Sequence, residues 1–303
     1  MASFSNETKT EICAAVKSPD DRRAFLTGVL LAARRFSVDE IALQTECEAF
    51  AVLFPKLLTA AGTSPALLDT EYRQRRGKLP LWCYTLSGRK TVSALCDALQ
   101  ISPQRRADAL RGRLTQRAQM MLSAGVFVMC GSITDPQRGY HLELALPDAV
   151  FGVALQEMLA AQDTPIPLKM TVRKNELLLY LKQNEQICDA LVYFGAQNAA
   201  IEMINQQVVK DIRSQTNRRM NCDLANIDKA VVAGAQQVAE IERIAQTVGL
   251  ESLPEPLRQI AYARLEEPEA SLRELGAMLS PPISRSGVHH RLQKISEIAA
   301  KLE

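Results

Sequence analysis

An α+β fold is predicted for this 303-residue chain: a duplicated N-terminal domain followed by an all-α C-terminal domain. Three observations lead there. Two apolar helices rich in small residues recur 97 residues apart when aligned on Gly28 and Gly125. The elements that follow each helix come in the same order. Beyond about residue 199 strand-like alternation stops and helical spacing takes over.

The stretch Gln119–Ser132 is apolar on nearly every side, yet carries Ser123, Ala124, Gly125 and Gly131. A helix apolar all round is buried. A glycine inside it costs about 1 kcal/mol against alanine, so these small residues predict a second backbone packed close. Arg23–Ser37, centred on Gly28, is the partner.

Residues 5–17 predict a short amphipathic helix with Ser5 as its N-cap. The first small-residue helix covers roughly 20–35. Asp39–Glu46 alternates as a half-buried strand, and Phe50, Leu53, Leu57 and Leu58 give Glu48–Ala60 helical spacing. Ala66–Tyr72 and Leu79–Leu86 are strands joined at Gly77, and Thr91–Leu99 is a helix. The second half replays this order. Gly139–Leu146 alternates, Asp148 caps a helix to about Ala161, Leu168–Val172 and Glu176–Lys182 form a hairpin around Arg173–Asn175, and a helix runs from Asn184 or Glu185 to Phe194. The order α-β-α-β-β-α thus occurs twice, which points to duplication. A further short strand is expected near Phe36 and near Ile133. The predicted domains are 1–198, in repeats of about 1–100 and 101–198, then a helical connector at 199–249 and a C-terminal domain at 250–303.

Composition sets limits. With 47% hydrophobic and 23% charged residues the chain is an ordinary globular one. Its seven cysteines are scattered and read as buried thiols in a reducing compartment, and its three histidines make no metal-spaced set with them. The polar start carries no secretory signal, and the Met120–Ile133 run falls short of the about 20 residues that span a bilayer. A cytoplasmic protein with no metal, cofactor or membrane association is expected.

The C-terminal domain carries function. Pro256–Glu266 and Ser271–Leu279 predict two helices, the second broken by Ser280–Ser284. Ser284 then caps a third helix that buries Val288, Leu292, Ile295, Ala299 and Leu302. Ser286, His289, His290 and Gln293, with Arg285, are left to face outward. This is a helix-turn-helix pattern, whose second helix enters the DNA major groove with its N-terminal residues at base edges. Short trihelical domains also bind proteins, and the turn is longer than the commonest one. The candidate DNA-binding set is Ser284, Arg285, Ser286, His289, His290, Arg291, Gln293 and Lys294. Serines and an arginine at a helix start suit phosphate; the bland reading of His289 and His290 is ordinary surface histidine.

Residues 71–117 hold eleven basic side chains against three acidic ones, in a chain of net charge +2. Arg73, Arg75, Arg76, Lys78, Arg105, Arg106, Arg111 and Arg113 form a candidate second DNA surface, on a hairpin and a following arginine-rich helix. A solvated face is the bland reading and a polyanion footprint the sharper one.

Duplicated αβ halves around Ala24–Ala33 and Leu122–Gly131 resemble the LAGLIDADG homing-endonuclease fold. With the motifs Asn217-Arg-x-x-Asn-Cys-x-x-Ala-Asn-x-x-Lys229 and Leu279–Leu292 added, the whole chain resembles the WhiA family. The resemblance implies a bacterial DNA-binding transcription regulator linked to cell division, chromosome segregation or sporulation, associated with the nucleoid. It places DNA binding at roughly 270–303 and makes the LAGLIDADG-like domain a candidate surface for a second regulatory protein. Active nucleases of that fold set a carboxylate at each helix foot to hold Mg²⁺. Here those positions fall at about Ala33 and Cys130, while Asp39 and Asp135 lie out of register, so no cleavage is expected. The alternatives are a nucleoid-associated architectural protein and, argued against by the missing carboxylates, a relict nuclease. For Asn217, Arg218, Asn221 and Asn226 a structural role is favoured over phosphate binding.

Overall fold

Helices α2 (Pro19–Ala32) and α6 (Gln116–Cys130) touch at their glycines. A Cβ on Gly28 would overlap the Leu122 carbonyl, and one on Gly125 the Phe25 carbonyl. Only glycine lets the two backbones meet there. This structure, a computed structural model, describes residues 3–77, 79–173 and 176–302.

Each helix opens the same run of elements. From α2 the chain passes to β1 (Arg35–Phe36), β2 (Glu40–Thr45), α3 (Glu48–Ala60), β3 (Leu68–Arg73), β4 (Leu81–Ser87) and α4 (Arg89–Leu99). From α6 it passes to β5 (Gly131–Ile133), β6 (Leu142–Leu146), α7 (Ala149–Ala160), β7 (Lys169–Arg173), β8 (Glu176–Leu181) and α8 (Asn184–Phe194). Both sheets are antiparallel, in the matching orders β1-β2-β4-β3 and β5-β6-β8-β7. Ile41, Leu43, Tyr84 and Leu86 of one sheet, and Leu142, Leu144, Leu179 and Leu181 of the other, face the core shared with α2 and α6. The repeat is therefore α-β-β-α-β-β-α. The expected short strands near Phe36 and Ile133 are present, directly after their helices.

Two local expectations change. The first helix, α1 (Phe4–Ala14), is capped by Ser3, whose hydroxyl accepts from Asn6 N. Ser5 instead accepts from the Ile133 amide at 3.3 Å. The arginine-rich helix expected after α4 shrinks to α5 (Asp108–Arg111), four residues long. Of the second hairpin turn, Lys174 and Asn175 lie outside the described residues.

The chain divides between Lys210 and Asp211 rather than at 198/199 and 249/250. The expected helical connector is a single helix, α9 (Gln197–Thr247), whose two ends belong to different units. Its first turns put Ala199, Ala200 and Met203 into the N-terminal core, while Ile241 and Ile244 belong to the C-terminal one. Its start is capped from α1, where the Glu11 carboxylate accepts from Asn198 N at 2.7 Å and Ala199 N at 3.1 Å. The C-terminal unit adds α10 (Glu255–Glu266), α11 (Leu272–Met278) and α12 (Arg285–Ala300) around Leu257, Ile260, Leu275, Val288, Leu292 and Ile295.

Candidate nucleic-acid interface

Local sequence explains the helix pair α11–α12. Ser271 and Glu274 form a capping box at the start of α11. Gly276 lies against the turn, where a Cβ would overlap the Ile283 carbonyl, and Ile283 N donates to Gly276 O at 3.0 Å. That contact draws the proline-containing connection tight. From α10, buried Arg264 donates to the carbonyls of Pro268 (3.1 Å) and Ala270 (2.6 Å), fixing the approach to α11.

At 3.6 residues per turn, Val288, Leu292, Ile295 and Ala299 fill one arc of α12 and are buried. The opposite arc is Ser286, His289, His290, Gln293 and Lys294, and Arg285 stands in the first turn beside the buried arc; all are exposed. Ser284 Oγ accepts from Gly287 N at 3.3 Å and lies 2.9 Å from Ser286 Oγ. Arg285, His289, His290, Gln293 and Lys294 have no hydrogen-bond or ion-pair partner among the described residues. Arg291 stands apart: it is half-buried and donates to the Pro256 carbonyl at 3.3 Å. Arg273, exposed in the first turn of α11 and likewise without a partner among the described residues, is absent from the set read from the sequence. A cation in the first turn of the helix before the turn was the available signal.

The second basic region has a different character. Arg106 is only 8% exposed and donates to the carbonyls of Leu31 and Ala33 at 2.8 Å and of Phe36 at 3.4 Å. It satisfies the C-terminal carbonyls of α2 and cannot belong to a DNA surface. Burial pushes its pKa below the usual guanidinium value, and its guanidinium stacks on Phe36 at 5.3 Å. Arg73 pairs with Glu71, Arg75 with Glu46 and the Leu79 carbonyl, and Arg105 and Arg111 with Asp108. Arg117 pairs with buried Asp21 at 2.8 and 3.0 Å, which holds that carboxyl down to about 2. Arg76 and Arg113 are exposed without partners among the described residues, and Lys78 lies outside them.

The outward face of the two sheets is charge-balanced. Strand register places Arg35, Arg73, Lys169 and Arg173 there beside Glu40, Asp69, Glu71, Glu143 and Glu176. At the helix feet lies a groove of about 770 Å³ lined by Arg34, Arg35, Gln44, Glu71, Arg73 and Cys130, among others. Ala33 follows α2 and Cys130 ends α6, so neither foot offers a carboxylate. Asp135 is turned to its own loop, accepting from Gln137 N at 2.8 Å, and Asp39 is exposed on the β1–β2 turn. No group of His, Cys, Asp and Glu among the described residues is arranged to hold a metal ion. A nuclease-type Mg²⁺ site does not fit these residues. No helix among the described residues is long and apolar enough to cross a membrane.

Comparison with known proteins agrees with this two-part organisation. The family described as the WhiA LAGLIDADG-like domain matches residues 119–213, and the WhiA C-terminal HTH domain matches residues 216–299. The chain is 46% identical over 179 residues to the probable cell division protein WhiA of Desulfitobacterium hafniense (strain DSM 10664 / DCB-2), covering 59% of this chain and 56% of that one. To the protein of the same name from Carboxydothermus hydrogenoformans it is 43% identical over 178 residues, 59% of this chain and 57% of that one. The match spans little more than half the length of these relatives. The fold is that of full-length DUF199/WhiA from Thermatoga maritima, with a TM-score of 0.60, 24% identity and 99% of each chain covered. A LAGLIDADG-like half without carboxylates at its helix feet, joined to a helix-turn-helix half, places the chain in the WhiA family.

Proposed function

We propose that the chain is a bacterial DNA-binding regulator of transcription, acting in cell division, chromosome segregation or sporulation, and that it does not cleave DNA. The observation that carries this is the face of α12. Its Arg285, His289, His290, Gln293 and Lys294 side chains project from a capped helix on a packed three-helix scaffold, with no partners of their own among the described residues. In a major groove Arg285 suits guanine O6 and N7, while Gln293 and the histidines suit base edges. Ser284, Ser286 and the amides of the first turn suit phosphate. Arg273 on α11 reaches the backbone beside them, as the first helix of such a pair does. Arg291, tied to Pro256, supports the scaffold rather than the DNA.

The LAGLIDADG-like domain then acts as a scaffold or as the docking surface for a second regulatory protein. The architectural alternative needs unpaired cations spread over a surface, and most of those between residues 73 and 117 already have partners. The proposal is tested by incubating the full chain with genomic DNA fragments in Mg²⁺ or Mn²⁺ and recovering what it binds. A few fragments enriched and intact are expected. Uniform recovery would favour the architectural reading, and divalent-dependent nicking lost in Asp135→Asn would restore the nuclease.

A further inference from the structure

The middle of α9 carries a motif to which neither the core nor the α12 face gives a role. Residues 211–233 are exposed without exception. Only beyond them does the helix join the C-terminal unit: a Cβ on Gly234 would come within 3.0 Å of the Pro268 carbonyl, Glu240 accepts from the Ser296 hydroxyl of α12, and Ile241 and Ile244 enter the core. The structural role expected for Asn217, Arg218, Asn221 and Asn226 is absent. Arg218 donates only to Ser214 one turn back, at 3.3 Å to the carbonyl and 3.0 Å to the hydroxyl. Asn226 donates only to the Cys222 sulfur, at 3.7 Å. Asn217, Asn221, Arg219 and Lys229 have no hydrogen-bond or ion-pair partner among the described residues.

Helix geometry gathers Arg218, Asn221, Cys222, Ala225 and Lys229 on one face over about 16 Å, with Asn217 and Asn226 flanking it. Met220, Leu224, Ile227 and Val231 take the other side. Asparagine weakens a helix, because its side chain competes with the backbone for hydrogen bonds. Asn217, Asn221 and Asn226 do so here with nothing in the fold to offset them, and a merely solvated face is better served by glutamate, lysine or glutamine. The charges lean one way: Arg218, Arg219 and Lys229 stand on or beside this face, against Asp228 at its edge. Short side chains at Cys222 and Ala225, between longer ones at either end, let a partner come close.

We propose that this face of α9 is a second DNA contact of the C-terminal unit, lying in the major groove next to the bases that α12 reads; the inference rests on the DNA-binding reading of α12. Asn217 and Asn221 each carry a donor and an acceptor in one plane, the combination that fits adenine N7 and N6. Phosphate would use only the donor. Arg218, Arg219 and Lys229 neutralise phosphates along the groove and hold the helix in register. The major groove admits an α-helix, and a face of about 16 Å follows roughly five base pairs at about 3.4 Å each. Two observations tie this arm to the unit that carries α12: the unit begins at Asp211, and its family match begins at residue 216.

The test uses the full chain and one genomic DNA fragment that it enriches. Arg218→Ala combined with Asn221→Ala should weaken binding about tenfold or more and shorten the hydroxyl-radical footprint at one end. The unfolding midpoint should stay the same or rise, because alanine is the better helix residue. Unchanged affinity and footprint would overturn the inference, while the footprint of the unmutated chain leaves the α12 reading standing. A lowered midpoint would return these residues to a structural role. If light scattering shows that the double variant loses a dimer that the unmutated chain forms, the face pairs with a second copy and the inference is again overturned. A full chain that enriches and protects no fragment would sink both readings.

Discussion

Two basic regions of this chain, residues 73–117 and 285–294, look alike as sequence and differ as structure. The first is richer in arginine, yet its guanidiniums mostly face their own chain: Arg106 holds three carbonyls, Arg117 holds Asp21, and Arg73, Arg75, Arg105 and Arg111 each have a carboxylate. The second has fewer charges but a row of exposed groups with no partners among the described residues. A cation already paired contributes little to polyanion binding, because its field is cancelled close by and the pair must be broken to use it. The difference teaches that a count of basic residues does not locate a nucleic-acid site. What matters is how many remain unpaired, and whether one rigid element aims them.

Replacing Arg106 is the strongest way to sharpen this contrast. Arg106→Met should lower stability by about 3 kcal/mol or more, since three charge-assisted hydrogen bonds go and buried carbonyls are left unsatisfied. Denaturant unfolding of the full chain measures it. The folded variant should bind DNA as the unmutated chain does, whereas a surface arginine would show the reverse pattern.

Next comes the face of α12. Arg285→Ala combined with His289→Ala should cost about 1–3 kcal/mol of discrimination between preferred and random DNA, with unfolding unchanged because both side chains are exposed. Competition binding reads it; equal weakening on both DNAs would mean that these residues touch only phosphate.

The smallest effect is on acid stability. Asp21 titrates at about 2 when folded, held there by Arg117, against about 3.9 when unfolded. Its stabilisation is therefore present above about pH 4 and is lost as pH falls toward about 2. In Asp21→Asn this part of the acid sensitivity should vanish, as followed by unfolding midpoints across that range. An unaltered acid profile would mean that Arg117 is not held there, leaving it available as a surface cation.

Much of the fold was legible because its causes are local. Asp148 and Ser284 are caps in the positions their sequence suggests, and the alternation in Ile41–Leu43 and Leu142–Leu146 faces the core as read. Gly28 and Gly125 marked the helix contact because only close approach justifies glycine inside such apolar helices. Long-range partners decided the rest. Arg35–Phe36 is too short to alternate, and Ser3 rather than Ser5 caps α1 because Ser5 serves Ile133. Nothing in the sequence around Arg106 announces that it faces inward, since its partners lie about 70 residues upstream.

The central claim is that α12, and not the 73–117 region, meets DNA. The most direct measurement is the salt dependence of full-chain binding to one preferred DNA fragment, repeated with two variants. One carries Arg285→Ala and Lys294→Ala, the other Arg76→Ala and Arg113→Ala. For every phosphate that is no longer neutralised, the log–log slope falls by about 0.9. A shallower slope and weaker binding in the first variant, with the second indistinguishable from the unmutated chain, is the predicted result. The opposite pattern would contradict it and return DNA binding to the LAGLIDADG-like domain.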